Sequence, residues 1–431
     1  MSSPTVQGRG SSLHIPHKAL EALRNSPMLE VVEDGVPDAI LHDPYVHLTM
    51  LRQNYGELFK SDSGDFDGLA LGRMHGFDPL EPVFLALGYR VSSEILRNSE
   101  VFHQNFSGTF ERVFGRTMTT LNGPEHRPFR SLAQSLFGRT AFERWMTDYA
   151  EPILDELIAH AKSKDSPLDL IPDVIVGLPF TLINNIIGVE SNDYGRMIKI
   201  AHDIFRCPFD LEAAMDASRY LHGYFYEILE ERRVRPRDDL ISDLSKGQIG
   251  DRPITDREIV NFLTNLFPAG MDTTYRMLST VTLALLSDPD QLNAVRSDRT
   301  LAPRAVDEAM RWNPPGGFVG KLCVREFEVQ GVKIPAGSNI VVAIGAANRD
   351  PEVWSSPDKF DLRREGPPHL GFSAGAHTCL GASLARSEGV LWINRMLDQF
   401  PDIRIDPSRA GGALGLRGLI FRSPWTIPVL Y

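Results

Sequence analysis

The chain has 431 residues, a formal net charge of -11, 42% hydrophobic residues and 23% charged ones. This is the composition of a globular protein and excludes a disordered one. The acidic excess argues against nucleic acid or an anionic membrane as the main partner. Three cysteines, Cys207, Cys323 and Cys379, none in a CxxC pair, exclude a disulfide framework and a zinc knuckle and fit a reducing compartment. No stretch reaches the ~18 uninterrupted apolar residues of a membrane span. The N-terminus lacks the apolar run of a signal peptide. The expected location is the cytoplasm.

In chain order, the first ~40 residues are rich in turn formers and read as irregular. Residues 44–97 mix short helix and strand signals. Gly123 and Pro124 read as a turn. Behind it, residues 125–136, 140–162 and 210–233 carry helical periodicity. Residues 235–239 are a charged break. Thr255 and Glu258 have the spacing of a capping box, and Ile259, Phe262, Leu263 and Leu266 continue an apolar helical face. This helix is expected to run to Leu286 through Pro268 and Gly270 and to bend there, since an internal proline removes a hydrogen bond and costs ~3 kcal/mol. Two helices joined at Pro268 is the alternative. Residues 305–312 form a helix stopped by Asn313, Pro314 and Pro315. Residues 327–342 read as short strands, 381–400 as a long helix and 414–430 as a β-hairpin.

The chemistry centres on Cys379, in the run Phe372-Ser373-Ala374-Gly375-Ala376-His377-Thr378-Cys379-Leu380-Gly381 ahead of a helix. A helix N-terminus favours an anion. Gly375 and Gly381 allow backbone to approach a flat ligand. The residues alone leave three readings: an inert buried thiol, a nucleophile activated by His377, or a metal ligand. Elsewhere, Glu308 and Arg311 stand at i,i+3 on a helix, where they can pair. Asp272 and Thr273 follow the Pro268–Gly270 interruption. His126 and Arg130 stand at i,i+4. Phe102, Phe106, Phe110 and Phe114 recur every four residues, as a core stripe or a pocket lining.

The run from Phe372 to Gly381 resembles the haem-ligand loop of the cytochrome P450 family. Three further motifs follow the family's order: Glu308-Ala309-Met310-Arg311, Ala269-Gly270-Met271-Asp272-Thr273-Thr274, and the pair His126 and Arg130. The resemblance implies one mainly α domain over residues 1–431 with small β-sheets, holding haem b between the long kinked helix and the Cys-ligand helix. It makes Cys379 the iron ligand. It places Ala269, Gly270, Phe372 and Gly381 against the haem, and His126, Arg130 and His377 on its propionates. Lys321 stands where the family has an arginine, and lacks that residue's bidentate fork. Arg364 is implied to join Glu308 and Arg311, with residues 348–351 matching a further element.

For function, the resemblance implies a monooxygenase that inserts one atom of O2 into an apolar small molecule. Hydroxylation is the expected outcome, with epoxidation or dealkylation as variants. Asp272 and Thr273 would pass protons. No four-Cys cluster pattern is present, so electrons are expected from a separate ferredoxin and its reductase. Arg127, Arg139 and Arg386 are candidate contacts for that donor. The pocket is expected to draw on residues 102–118, the kinked helix, Gly316 to Val319 and the region of Leu419. The protein is expected to be a monomer. A peroxide-using or isomerase-type enzyme, a haem sensor, and a hydrolase using Cys379 with His377 are the competing readings.

Overall fold

The computed structural model describes residues 33, 36–69, 71–74, 82–105, 109–164, 167–189, 194–410 and 414–431. Most of the expected irregular N-terminal segment, and Phe106 of the aromatic stripe, lie outside the described residues. Helices dominate. The main ones are α1 (Gly123–Leu136), α2 (Gly177–Ile187), α3 (Tyr194–Phe205), α4 (Leu211–Val234), α5 (Asp256–Ser287), α6 (Ala302–Trp312) and α7 (Ala382–Gln399).

Helix α5 is the axis of the molecule. Both halves of the capping box form: the Thr255 hydroxyl accepts from the Glu258 N–H, and the Glu258 carboxylate accepts from the Thr255 N–H. The helix then runs 32 residues without a break. At 1.5 Å per residue that is roughly 48 Å. Pro268 does not split it into two helices; α2, α3, α4, α6 and α7 pack around it. Apolar residues from these helices form the largest core cluster.

A five-stranded sheet stands at one edge, built from β1 (Leu58–Ser61), β2 (Val83–Ala86), β3 (Phe102–Gln104), β4 (Val319–Cys323) and β5 (Asn339–Val342). Its order is β1-β2-β5-β4-β3, with β2 and β5 parallel and the other pairs antiparallel. The register sets Gln104 opposite Lys321.

Several expectations change. Gly123 and Pro124 are the first helical residues of α1 and not a turn before it, because the missing N–H of proline costs nothing in a first turn. Residues 139–163 widen into a π-turn over Met146–Ala150, next to Pro152, which cannot donate into a regular ladder. The tail is not one hairpin. Arg417 bridges Ser423, but Pro428–Leu430 pairs with Leu168–Asp169 and Arg404–Ile405. The Glu33 carboxylate takes the N–H groups of Leu419, Ile420 and Phe421, which a hairpin would have used. The aromatic stripe also breaks up: Phe102 is buried in the sheet, Phe110 packs on Phe114, and none of these three lines the main cavity. Among the described residues, no helix is long and apolar enough to cross a membrane.

Candidate active site

The cysteine loop is held from several sides. Ser373 and Gly375 take positive φ values of 60° and 75°. A Cβ on Gly375 would stand 2.8 Å from the Leu96 carbonyl, so only glycine fits there. The Cys379 N–H donates to the Phe372 carbonyl at 2.9 Å, and α7 starts three residues later. Burial pushes the Cys379 thiol up, against the Gly381 N–H and the positive charges of Arg130 and Arg386. The residue is nonetheless exposed, and it lines a cavity. Cys207 and Cys323 are buried, and burial pushes Cys207 up to about 12, so neither competes as a thiolate.

Behind the loop lies a clamp. Arg311 donates to both carboxylate oxygens of Glu308 at 2.8 Å, and Arg364 donates to Oε1 at 2.9 Å. Arg311 also donates to the carbonyls of Asn348, Pro357 and Lys359. The Asn348 amide accepts from the Leu370 N–H, which ties the clamp to the entry of the cysteine loop. Glu308→Ala leaves two buried guanidinium groups without their carboxylate. A stability loss of about 3–5 kcal/mol is expected in urea unfolding. A loss under ~1 kcal/mol would give the clamp no more weight than a surface pair.

The cavity runs from Cys379 to one face of α5. Along that helix, Asn265, Leu266, Ala269, Gly270 and Thr273 are partly open while most of their neighbours are buried, a helical stripe that marks the wall. Gly270 lets α2 come close: a Cβ there would stand 3.0 Å from Ile183 Cδ1. The Thr273 hydroxyl is bonded within the helix. It donates to the Ala269 carbonyl at 2.7 Å, one turn back. Asp272 points away from the cavity. Arg276 grips its carboxylate with two bonds, at 2.7 and 3.0 Å, and also donates to Ser423. Asp272 and Thr273 are therefore adjacent in sequence but not bonded to each other.

A set of basic groups gathers at one end of the same cavity. The His126 and His377 rings lie 4.2 Å apart, with Arg130 also on the cavity wall. Lys321 is fully buried, and among the described residues neither its Nζ nor His126 Nε2 has a hydrogen-bond partner. Burial first, then neighbouring positive charge, pushes His126 down to about 4 and His377 to about 3. Burial alone pushes Lys321 down to about 8. Buried donors without acceptors are rare in proteins and call for an anion. The two propionates of a haem have the charge and acceptor oxygens to meet them, so these residues fit that cofactor. Cys379 sets its sulfur on the cavity wall, with Phe372 and Leu380 also lining it.

Two features escaped the sequence reading. Glu388 on α7 is buried against the cavity, with Oε2 unbonded, and burial pushes its carboxyl up to about 8. The folded state thus keeps a proton that the unfolded chain releases above pH 4.5, so stability is lost as pH rises from there towards about 8. Glu388→Gln is expected to stabilise the protein near pH 7 by up to ~3 kcal/mol and to have little effect near pH 4.5. Melting curves at the two pH values check this; an equal shift at both would remove the titration argument. The second feature is a contact between Thr119 and Asn265, in which the threonine hydroxyl donates to Asn265 Oδ1 at 3.2 Å. A polar residue inside the apolar run of α5 was its only signal.

Comparison with known proteins agrees with this geometry. The family profile described as Cytochrome P450 matches residues 77–407. Cytochrome P450 107B1 of Saccharopolyspora erythraea is 31% identical over 331 residues, covering 74% of this chain and 80% of that protein. The biotin biosynthesis cytochrome P450 of Bacillus subtilis is 30% identical over 344 residues, covering 75% and 85%. The crystal structure of P450BioI in complex with hexadec-9Z-enoic acid ligated acyl carrier protein superposes with a TM-score of 0.79 at 27% identity, covering 91% of this chain and 99% of that one. The chain belongs to the cytochrome P450 family. It has that family's fold, and it is a haem-dependent monooxygenase.

Proposed function

We propose that this protein uses haem b, held by Cys379, to insert one oxygen atom from O2 into an apolar organic substrate. The observation that carries the reading is that Cys379 and Thr273 open into one cavity also lined by His126, Arg130 and His377, where, among the described residues, His126 Nε2 and the nearby buried Lys321 Nζ have no hydrogen-bond partner. When bound, haem would supply O2 activation and C–H oxidation, with the axial thiolate favouring O–O cleavage.

The chain's own residues would do the rest. Cys379 would give its proton up to bulk solvent and bind as thiolate, favoured by the Gly381 N–H and by Arg130 and Arg386. Arg130, His126, His377 and Lys321 would hold the propionates, and with them the cofactor's orientation. Ala269, Gly270, Phe372 and Gly381 would frame its two faces. Thr273 would hold a proton at Oγ1 on the cavity wall. Asp272 would resupply it through water after one of its two bonds to Arg276 breaks. The apolar walls would exclude bulk water and present the substrate carbon.

Electrons would come from a ferredoxin and its reductase. Arg127 is exposed and available for docking. Arg139 is paired with Glu143, and Arg386 with Asp307. The assignment to the cytoplasm rests on the cysteine usage and the absence of a long apolar run, and a monomer is the default. The test is product formation from a bound substrate under two regimes: reduced ferredoxin with O2, and hydrogen peroxide alone. Turnover that requires the donors supports the reading. Equal turnover with peroxide and no donor sinks it in favour of a peroxygenase.

A further inference from the structure

The wall of α5 divides into two ends. Thr273 lies at one end and Asn265 eight residues earlier on the same stripe, roughly 12 Å away along the axis. Around Asn265 the cavity is apolar, with Met118, Leu182, Ile186, Phe262 and Leu266 on its walls. Of the charged lining groups, Arg130 is close enough to Cys379 to bias its thiol, and Glu388 is on the cysteine helix.

Asn265 is oriented. Its Oδ1 accepts from the Thr119 hydroxyl at 3.2 Å, which leaves Nδ2 as the free face of the amide. Asn261, one turn earlier, spends its own Nδ2 on the Arg116 carbonyl at 3.1 Å and so ties the loop before α1 to α5. That structural task is already done when the chain reaches Asn265. Among the described residues, Asn265 Nδ2 has no protein acceptor, and the residue is partly open on the cavity side. An amide donor in an apolar wall is costly unless something accepts from it.

We propose that Asn265 Nδ2 is a substrate-recognition donor, and that the substrate is a neutral, largely apolar molecule carrying an acceptor oxygen such as a ketone. That oxygen sits about two helical turns from the carbon held near Thr273. In this reading Arg130 and Lys321 are taken up by the haem propionates, so a substrate carboxylate would be buried without a counter-charge and free fatty acids are disfavoured. This inference rests on the monooxygenase reading.

The test uses haem-loaded protein and three ligands of matched shape: methyl nonyl ketone, undecane and decanoic acid. Dissociation constants are read from the substrate-induced spin-state shift of the Soret band, a binding signal that needs no turnover. The wild type is expected to bind the ketone on the order of tenfold tighter than undecane, the worth of one hydrogen bond. The acid is expected to bind more weakly than the ketone. Asn265→Leu, and separately Asn265→Ala, should erase the preference for the ketone over undecane. Equal binding of ketone and undecane by wild type, no shift with either, tightest binding of the acid, or a preference that survives both substitutions overturns the proposal. The reduced carbon-monoxide spectrum of the same samples separates the failures. A thiolate-type Soret band with no ketone preference overturns the Asn265 assignment alone. Absence of that band overturns the monooxygenase reading and this inference together.

Discussion

Cys379→Ala is expected to abolish oxidation of substrate while leaving the fold intact. Removing an outer-shell partner of a metal site commonly costs ~10–100-fold, and loss of the Cys379 thiolate should exceed that. The sulfur borders an open cavity, so its removal leaves no new void in packed core. The expected change in stability is under ~1 kcal/mol. The reduced carbon-monoxide difference spectrum is the direct readout. Wild type should give the red-shifted Soret band of thiolate-ligated haem, and the variant should not. A variant that keeps this band would place the ligand elsewhere, and an inert or nucleophilic Cys379 would return as the better reading.

Asp272→Asn should fail twice, for separable reasons. The first is structural. The carboxylate is the two-bond partner of a fully buried Arg276, and the neutral amide leaves that cation short of charge. Breaking such a pair costs about 3–5 kcal/mol, which thermal or urea unfolding would read. The second is chemical. A proton relay without its acid typically loses on the order of 10²–10⁴ in rate. O2 should still be consumed, but with less product per O2, and the solvent isotope effect on turnover should change. If stability falls while product per O2 and rate stay at the wild-type level, Asp272 is an anchor for Arg276 and not part of a relay.

Much of the fold was legible because local signals and tertiary packing agree over long stretches. The Thr255–Glu258 box placed the start of α5 to the residue, and the Glu308–Arg311 spacing placed that pair, while its third member, Arg364, came from the family resemblance. The tail was misread because the decisive partner, Glu33, lies almost four hundred residues away in sequence. No local pattern reports a carboxylate that captures three N–H groups from so far. The ion pair that holds Asp272 went unforeseen for a different reason. Its neighbour Thr273 faces the cavity, but a helix turns 100° per residue, so adjacent side chains diverge, and Arg276 at i+4 was the natural partner. Glu388 was hidden because its chemistry comes from burial, and a carboxylate on a helix reads as solvated until its surroundings are known.

The unpartnered Lys321 and the two neutral histidines bear on how the protein is made in a cell. A fold that gathers this many basic groups and offers them no acid stores an electrostatic penalty until an anion arrives. A ligand that binds only the folded state raises its stability by mass action. Haem supply would therefore act on abundance as well as on activity. Chains synthesised when haem is scarce would spend more time open to proteolysis, and the accumulated protein would track cofactor synthesis even at constant messenger levels.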